Sequence, residues 1–240
     1  MRGGILADWG DGINFWPAFS DFMLAIVLVF FLVLVASLSN RLDTRQAEAA
    51  QHRLAESSLF AQTGFVERAS PDKSQIEWLQ GSDVAIRFET EKNDPFLQHI
   101  TFAETVLFDT DRADLNDQGK DVLRLIGQRI NEAADEIQEI QIHGHADVRP
   151  VRGHFQDNLA LASARANTVF RFLQFEVGTD PVAHLMSATS FGEFDPVGRK
   201  PDEQYTERDL QRDNSNENKM RQNRRIEMLL FYKRSVREPK

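Results

Sequence analysis

The sequence predicts an α+β protein: a single N-terminal transmembrane helix, a helical stalk and an α/β sandwich domain. Three observations predict it. Phe22 to Leu38 carries no charge, and about seventeen residues at 1.5 Å each give roughly 26 Å of apolar helix, which the apolar residues before them extend to membrane thickness. From Ile100 onward, short segments of alternating hydrophobicity are interleaved with longer segments of helical period. Those helical segments are apolar on one face only, so they lie on one side of a small mixed sheet.

In chain order, residues 1–39 are the N-terminal stretch and the span, with Trp16 and Pro17 marking a membrane boundary. Residues 40–64 form a stalk rich in Ala, Glu, Gln, Arg and Leu, on which Leu42, Ala49, Ala50, Leu54 and Leu59 make a narrow stripe that suits a solvated helix or pairing with a second copy. Gly64 and Ser70-Pro71-Asp72 end it. Residues 65–98 read as a small connecting element containing a half-buried strand of Val84, Ile86 and Phe88, closed by Asn93-Asp94-Pro95. Residues 99–240 form the domain. Its predicted elements are strand Thr105 to Phe108, helix Asp117 to Ala133, strand Ile137 to His143, helix Asn158 to Val177, strand Leu185 to Phe191, a long polar loop, and strand Arg225 to Tyr232. Val122, Ile126 and Ile130 mark the buried face of the first helix, and Leu159, Ala162, Ala166, Val169 and Leu173 that of the second.

Composition narrows the function. The formal charge of -9 excludes a nucleic-acid partner, which needs a concentrated basic face. The absence of cysteine removes disulfides, thiolate metal sites and cysteine nucleophiles. The apolar segment is too long for a signal peptide and lacks both a basic start and a small-residue cleavage site, so it reads as retained. Local charge, with Arg2 before the span and Arg41 and Arg45 after it, points the N-terminus outward.

Asp21 lies in the first turns of the span, where an ionised carboxylate costs about 2.5 to 3.5 kcal/mol on insertion scales. Two readings account for it. It either accepts backbone N–H bonds at the helix start, or it takes up and releases a cation inside a path lined by partner helices.

In the domain, His143, His145 and Asp147 follow one another at period two and share one face. They are a candidate metal set, with His154 as a further ligand, although the reading carried forward assigns the protein no metal. A second constellation places Asp147 at a strand end, Asn158 at a helix start and Arg165 two turns along that helix. Asp147 can take an ammonium and Arg165 a carboxylate, so together they can grip a zwitterion. Alternatively they pair with each other and tie loop to helix.

Gly144-His145-Ala146-Asp147, Asn158 with Leu161 and Arg165-Ala166, Phe191-Gly192-Glu193 with Pro196, and Asn223-Arg224-Arg225-Ile226-Glu227 resemble the successive motifs of the OmpA C-terminal, peptidoglycan-binding family. Val106-Leu107-Phe108 with Ala113-Asp114-Leu115 and Gly119 resembles its opening strand and loop. The resemblance covers about residues 100 to 232. It implies an OmpA-like domain in which Asp147 and Arg165 bind the diaminopimelate of the wall stem peptide, supported by Asn158. Ala146 and Ala162 stand where that family usually has Thr and Ser.

Trp16 to Met23, Phe30 to Val33 and Ala36-Ser37-Leu38 are similar to the membrane helix of MotB-type stator subunits. That resemblance implies Asp21 as carrier of a translocated H+ or Na+, and no other cofactor. It also implies a B-subunit homodimer inside a pentameric ring of a MotA-like A subunit, in the bacterial inner membrane, with the N-terminus cytoplasmic and the domain periplasmic. Within the family, Asp8 and Asp11, the Val35 to Ser39 end of the span and the short connector look closer to the B subunit of the Zorya anti-phage system than to flagellar members. Competing readings are a flagellar-type subunit, a non-conducting peptidoglycan tether, and a metal-dependent wall hydrolase using His143, His145 and Asp147; the first choice is not an enzyme.

Overall fold

The computed structural model describes residues 16–54, 60, 64–69, 75–200 and 204–234. The chain divides into two compact units, Met1–Asp43 and Thr44–Lys240. Arg2, Asp8, Asp11, Leu59 and Ser70-Pro71-Asp72 lie outside the described residues.

Helix α1 runs from Trp16 to Leu54. In the first unit it contains a 20-residue stretch, Phe19–Leu38, long and apolar enough to cross a membrane. Phe22, Leu24, Phe30 and Leu34 are all exposed there.

The second unit takes in the last turns of α1. Ala47, Ala50, Gln51 and Leu54 are buried, and Gln51 donates to the Pro95 carbonyl at 2.9 Å while accepting from Thr90 Oγ1 at 2.8 Å. Ala50 and Leu54, two members of the proposed pairing stripe, are therefore consumed by the domain itself. Leu42 stays exposed, and so does Ala49. Ala47, Ala50 and Leu54 belong to the domain's hydrophobic core.

Seven strands form one sheet in the order β1-β2-β3-β4-β7-β5-β6. They are β1 (Val66–Ala69), β2 (Gln75–Gln80), β3 (Asp83–Thr90), β4 (Leu97–Ala103), β5 (Ile137–His145), β6 (Leu185–Gly192) and β7 (Arg225–Tyr232). All neighbours are antiparallel except β5 and β6. That parallel pair needs a crossover, which α4 (Asn158–Phe172) and a π-helical turn at Leu173–Val177 supply. The sheet runs across the boundary drawn at residue 98, because β3 pairs with β4 from Ile86↔Phe102 to Thr90↔Gln98.

Helix α3 (Asp117–Glu132) starts on Asn116, whose side chain accepts from Gly119 N at 2.6 Å. Its apolar stripe of Val122, Leu123, Ile126 and Ile130 is fully buried with Ile140, Ile142, Met228 and Leu230 of the sheet. On α4 the buried set is Asn158, Leu161, Ala162, Arg165, Ala166, Val169 and Phe172, while Leu159 is exposed. The predicted strand Thr105 to Phe108 is instead a single helical turn, α2 (Glu104–Leu107), with Phe108 in an isolated bridge to Leu115. The strand proper ends earlier, at Ala103, opposite Arg225 where its partner β7 begins, and just beyond it Glu104 N donates to the Arg224 carbonyl at 3.0 Å. In the long polar loop lie two short helices, α5 (Glu207–Asp213) and α6 (Glu217–Asn223). Their ends are tied by buried Asn223, which donates to the Asp213 carbonyl and to Asn214 Oδ1.

Candidate functional site

Asp147 follows the end of β5, where the chain leaves the sheet beside α4. Close approach of these two elements requires Gly144, since a Cβ there would lie 2.2 Å from the Ala162 carbonyl oxygen. The result is a buried Asp147 carboxylate. It accepts from Arg149 N and Arg149 Nε, each at 2.9 Å, and it is also bonded by Arg224 Nη1. Asn158, also buried, donates to the carbonyls of Asp147 and Arg149, both at 2.9 Å. It touches neither the Asp147 carboxylate nor Arg165; it holds the loop backbone that presents the acid.

Arg165 projects from the buried face of α4 with only 2% of its side chain exposed. Its Nε donates to the Arg112 carbonyl at 2.8 Å, and its guanidinium lies 5.2 Å over the Phe108 ring. Nη2 stands 2.5 Å from Glu104 Oε1, an ion contact without hydrogen-bonding alignment. Asp147 and Arg165 thus do not pair directly with each other. They are joined indirectly: Glu104 Oε2 is 2.6 Å from Arg224 Nε, and Arg224 reaches Asp147 through its other arm.

The site is therefore an alternating chain of Arg165, Glu104, Arg224, Asp147 and Arg149. Glu217 closes it, 2.9 Å from Arg149 and 3.1 Å from Arg224. A fixed array of planar guanidinium forks and carboxylates is suited to bidentate recognition of charged groups. Glu104, Arg149 and Arg224 were not picked out as site residues from sequence. Arg224 carried a signal, its place in Asn223-Arg224-Arg225. Glu104 carried none, since it lies between what read as connector and strand.

His143 and His145 do share a face of β5, but Asp147 is not with them. The acid beside them is Glu227, which β7 places directly opposite His143. Burial pushes His145 down to about 3, with Arg225 adding to the effect and Glu227 opposing it; burial also lowers His143. Both shifts favour the neutral imidazole.

Fold and site together define an OmpA-like domain following an apolar N-terminal helix. Residues 107–224 match the OmpA family. A MotB-like protein from Desulfovibrio vulgaris has a similar structure, with a TM-score of 0.57 and 18% identity, over 81% of this chain and 99% of that one. The periplasmic domain of Helicobacter pylori MotB, residues 78–256, aligns with a TM-score of 0.48 and 17% identity, over 69% of this chain and 87% of that one. The cell wall anchor of the T6SS from Pseudomonas aeruginosa aligns with a TM-score of 0.47 and 21% identity, over 62% of this chain and 88% of that one. No curated protein matches the sequence.

Proposed function

We propose that this protein is the B subunit of an ion-driven rotary motor of the MotA/MotB kind, not an enzyme. It crosses the bacterial inner membrane once, and its periplasmic domain is held to peptidoglycan. The observation that carries the reading is the position of Asp21. Helix α1 is already formed at Trp16, so Asp21 sits more than a turn inside it, beyond the reach of the free N–H groups and dipole of that first turn. A capping role does not hold it there. A reversible cation site within a ring of partner helices does, because a lone helix cannot shield a carboxylate from lipid.

In this reading two copies stand inside a pentameric ring of MotA-like A subunits. Passage of H+ or Na+ past Asp21 turns the ring around the stationary dimer. Asp147 and Arg165, with Asn158 behind them, take the diaminopimelate zwitterion of the stem peptide. Support for the wall-binding half comes from the OmpA family match and from Arg165 Nη2, buried yet without an aligned hydrogen bond. The features of the span and connector favour a role in anti-phage defence of the Zorya type.

Asp21→Asn is the deciding experiment, because Asn keeps the shape but exchanges no proton and carries no charge. Expected are normal membrane insertion and normal co-purification with the A subunit, but no ion flux and no protection against phage. Full activity of Asp21→Asn would leave a plain wall tether.

A further inference from the structure

On the sheet face away from α3 and α4, we propose that His143, His145 and Glu227 form a binding site for a divalent cation of the zinc class. The three side chains come from two strands. His143 and His145 are alternate residues of β5, and Glu227 of β7 is the register partner of His143. One donor atom from each lies within 4.8 Å of the others, and His145 Nε2 is 3.6 Å from Glu227 Oε2. Tetrahedral zinc with bonds near 2.0 to 2.1 Å needs donors about 3.3 Å apart, so modest side-chain shifts close the set.

The surroundings fix each donor in its ligating form. His145 Nδ1 is 3.2 Å from the Asp195 carbonyl oxygen, a group that can only accept, so Nδ1 carries the proton. The Nε2 lone pair is then free, and this atom is buried without a hydrogen-bond partner. That is costly unless something occupies it. His143 Nε2 faces Gln141 Oε1 at 3.2 Å, and the Gln141 amide is oriented by donating to Glu139 at 2.7 Å. His143 Nε2 therefore donates and Nδ1 is left to bind. Arg225 Nε holds Glu227 Oε1 at 2.6 Å, leaving Oε2 turned toward His145.

Each ligand thus has the second partner that metal-binding imidazoles and carboxylates use to hold tautomer and orientation. Phe191 adds rigidity, stacked on His145 at 5.1 Å and edge-on to His143 at 5.1 Å. Two imidazole nitrogens and one carboxylate suit zinc or its neighbours rather than magnesium or calcium. The carboxylates of Glu227 and Asp195 outnumber the Arg225 cation beside them, so the site accepts positive charge. Such an ion would pin β5 to β7 at the end of the sheet from which Asp147 and Arg224 emerge.

The test is Co(II) titration of tag-free, full-length protein in detergent, followed by competition with Zn(II). Expected are one equivalent of Co(II) per chain with the visible absorption of tetrahedral coordination, displaced by zinc. Binding should weaken at least tenfold in His143→Gln and in Glu227→Gln and stay unchanged in His154→Ala. His143→Gln is partly exposed and near in size, so it reports even if Glu227→Gln perturbs folding. Absence of tetrahedral absorption at excess Co(II), or wild-type affinity in His143→Gln, would overturn the site.

Discussion

Arg165 and Glu104 form a buried ion pair, Nη2 to Oε1 at 2.5 Å, with side-chain exposures of 2% and 10%. Glu104 also faces Arg224 at 2.6 Å, so its carboxylate bridges two guanidinium groups, of which Arg224 is further held by Asp147 and Glu217.

Glu104→Gln should therefore destabilise the domain strongly, by about 3 to 5 kcal/mol, because it leaves buried charge without its partner. A chemical melt of the full-length protein, followed by near-UV circular dichroism, measures this. Stability within about 1 kcal/mol of wild type would mean that Arg165 and Arg224 find solvent when Glu104 is neutral.

Wall binding should weaken when either charge of the proposed grip is removed. Asp147→Asn removes the acceptor for an ammonium, and Arg165→Ala removes the fork for a carboxylate. Each should cost about 2 to 5 kcal/mol of binding if the pocket is desolvated, read as loss of retention on purified peptidoglycan. Equal retention of Arg165→Ala and wild type would make the array structural.

Arg149→Ala should instead strengthen binding. Arg149 is half-exposed yet bonded to Asp147, so it competes with an incoming ammonium. Arg149 is the solvent-facing member of the pair while Asp147 is buried, and a partner charge held at the surface contributes on the order of 1 kcal/mol, which sets the expected gain at up to about fivefold in affinity. Weaker retention of this variant would show that Arg149 contacts the ligand.

Asn158→Ala should loosen the Asp147 loop without touching either charge. The buried Asp147 carbonyl and the part-buried Arg149 carbonyl lose their donor, at about 1 to 3 kcal/mol. Hydrogen exchange should quicken at Asp147 to Arg149 while the α3 core keeps its protection. Unchanged exchange there would remove the supporting role.

Gly144→Ala should be poorly tolerated. The new Cβ would meet backbone, the Ala162 carbonyl oxygen, at 2.2 Å, so β5 and α4 must separate. Overpacking of this kind costs about 1 to 3 kcal/mol or more, and the melt of this variant should fall accordingly.

By itself the sequence determined the local elements and the types of residue at the site. Alternation and helical period are short-range properties, so α3, β5, α4 and β7 were legible within a few residues, and the uncharged run from Phe22 to Leu38 marked the apolar helix. Asp147, Asn158 and Arg165 stood out because they punctuate those elements. Tertiary structure alone decided which charges meet. Glu104 and Arg165 are 61 positions apart, and Arg224 joins Glu104 to Asp147 only because β7 lies between β4 and β5. The same placement puts Glu227, rather than nearby Asp147, beside His143 and His145, and the docking of α1 against the domain's hydrophobic core took Ala50 and Leu54 out of the stalk's free face. Strand order and register are properties of the whole sheet, and no local pattern encodes which side chains a non-neighbouring strand will bring into reach.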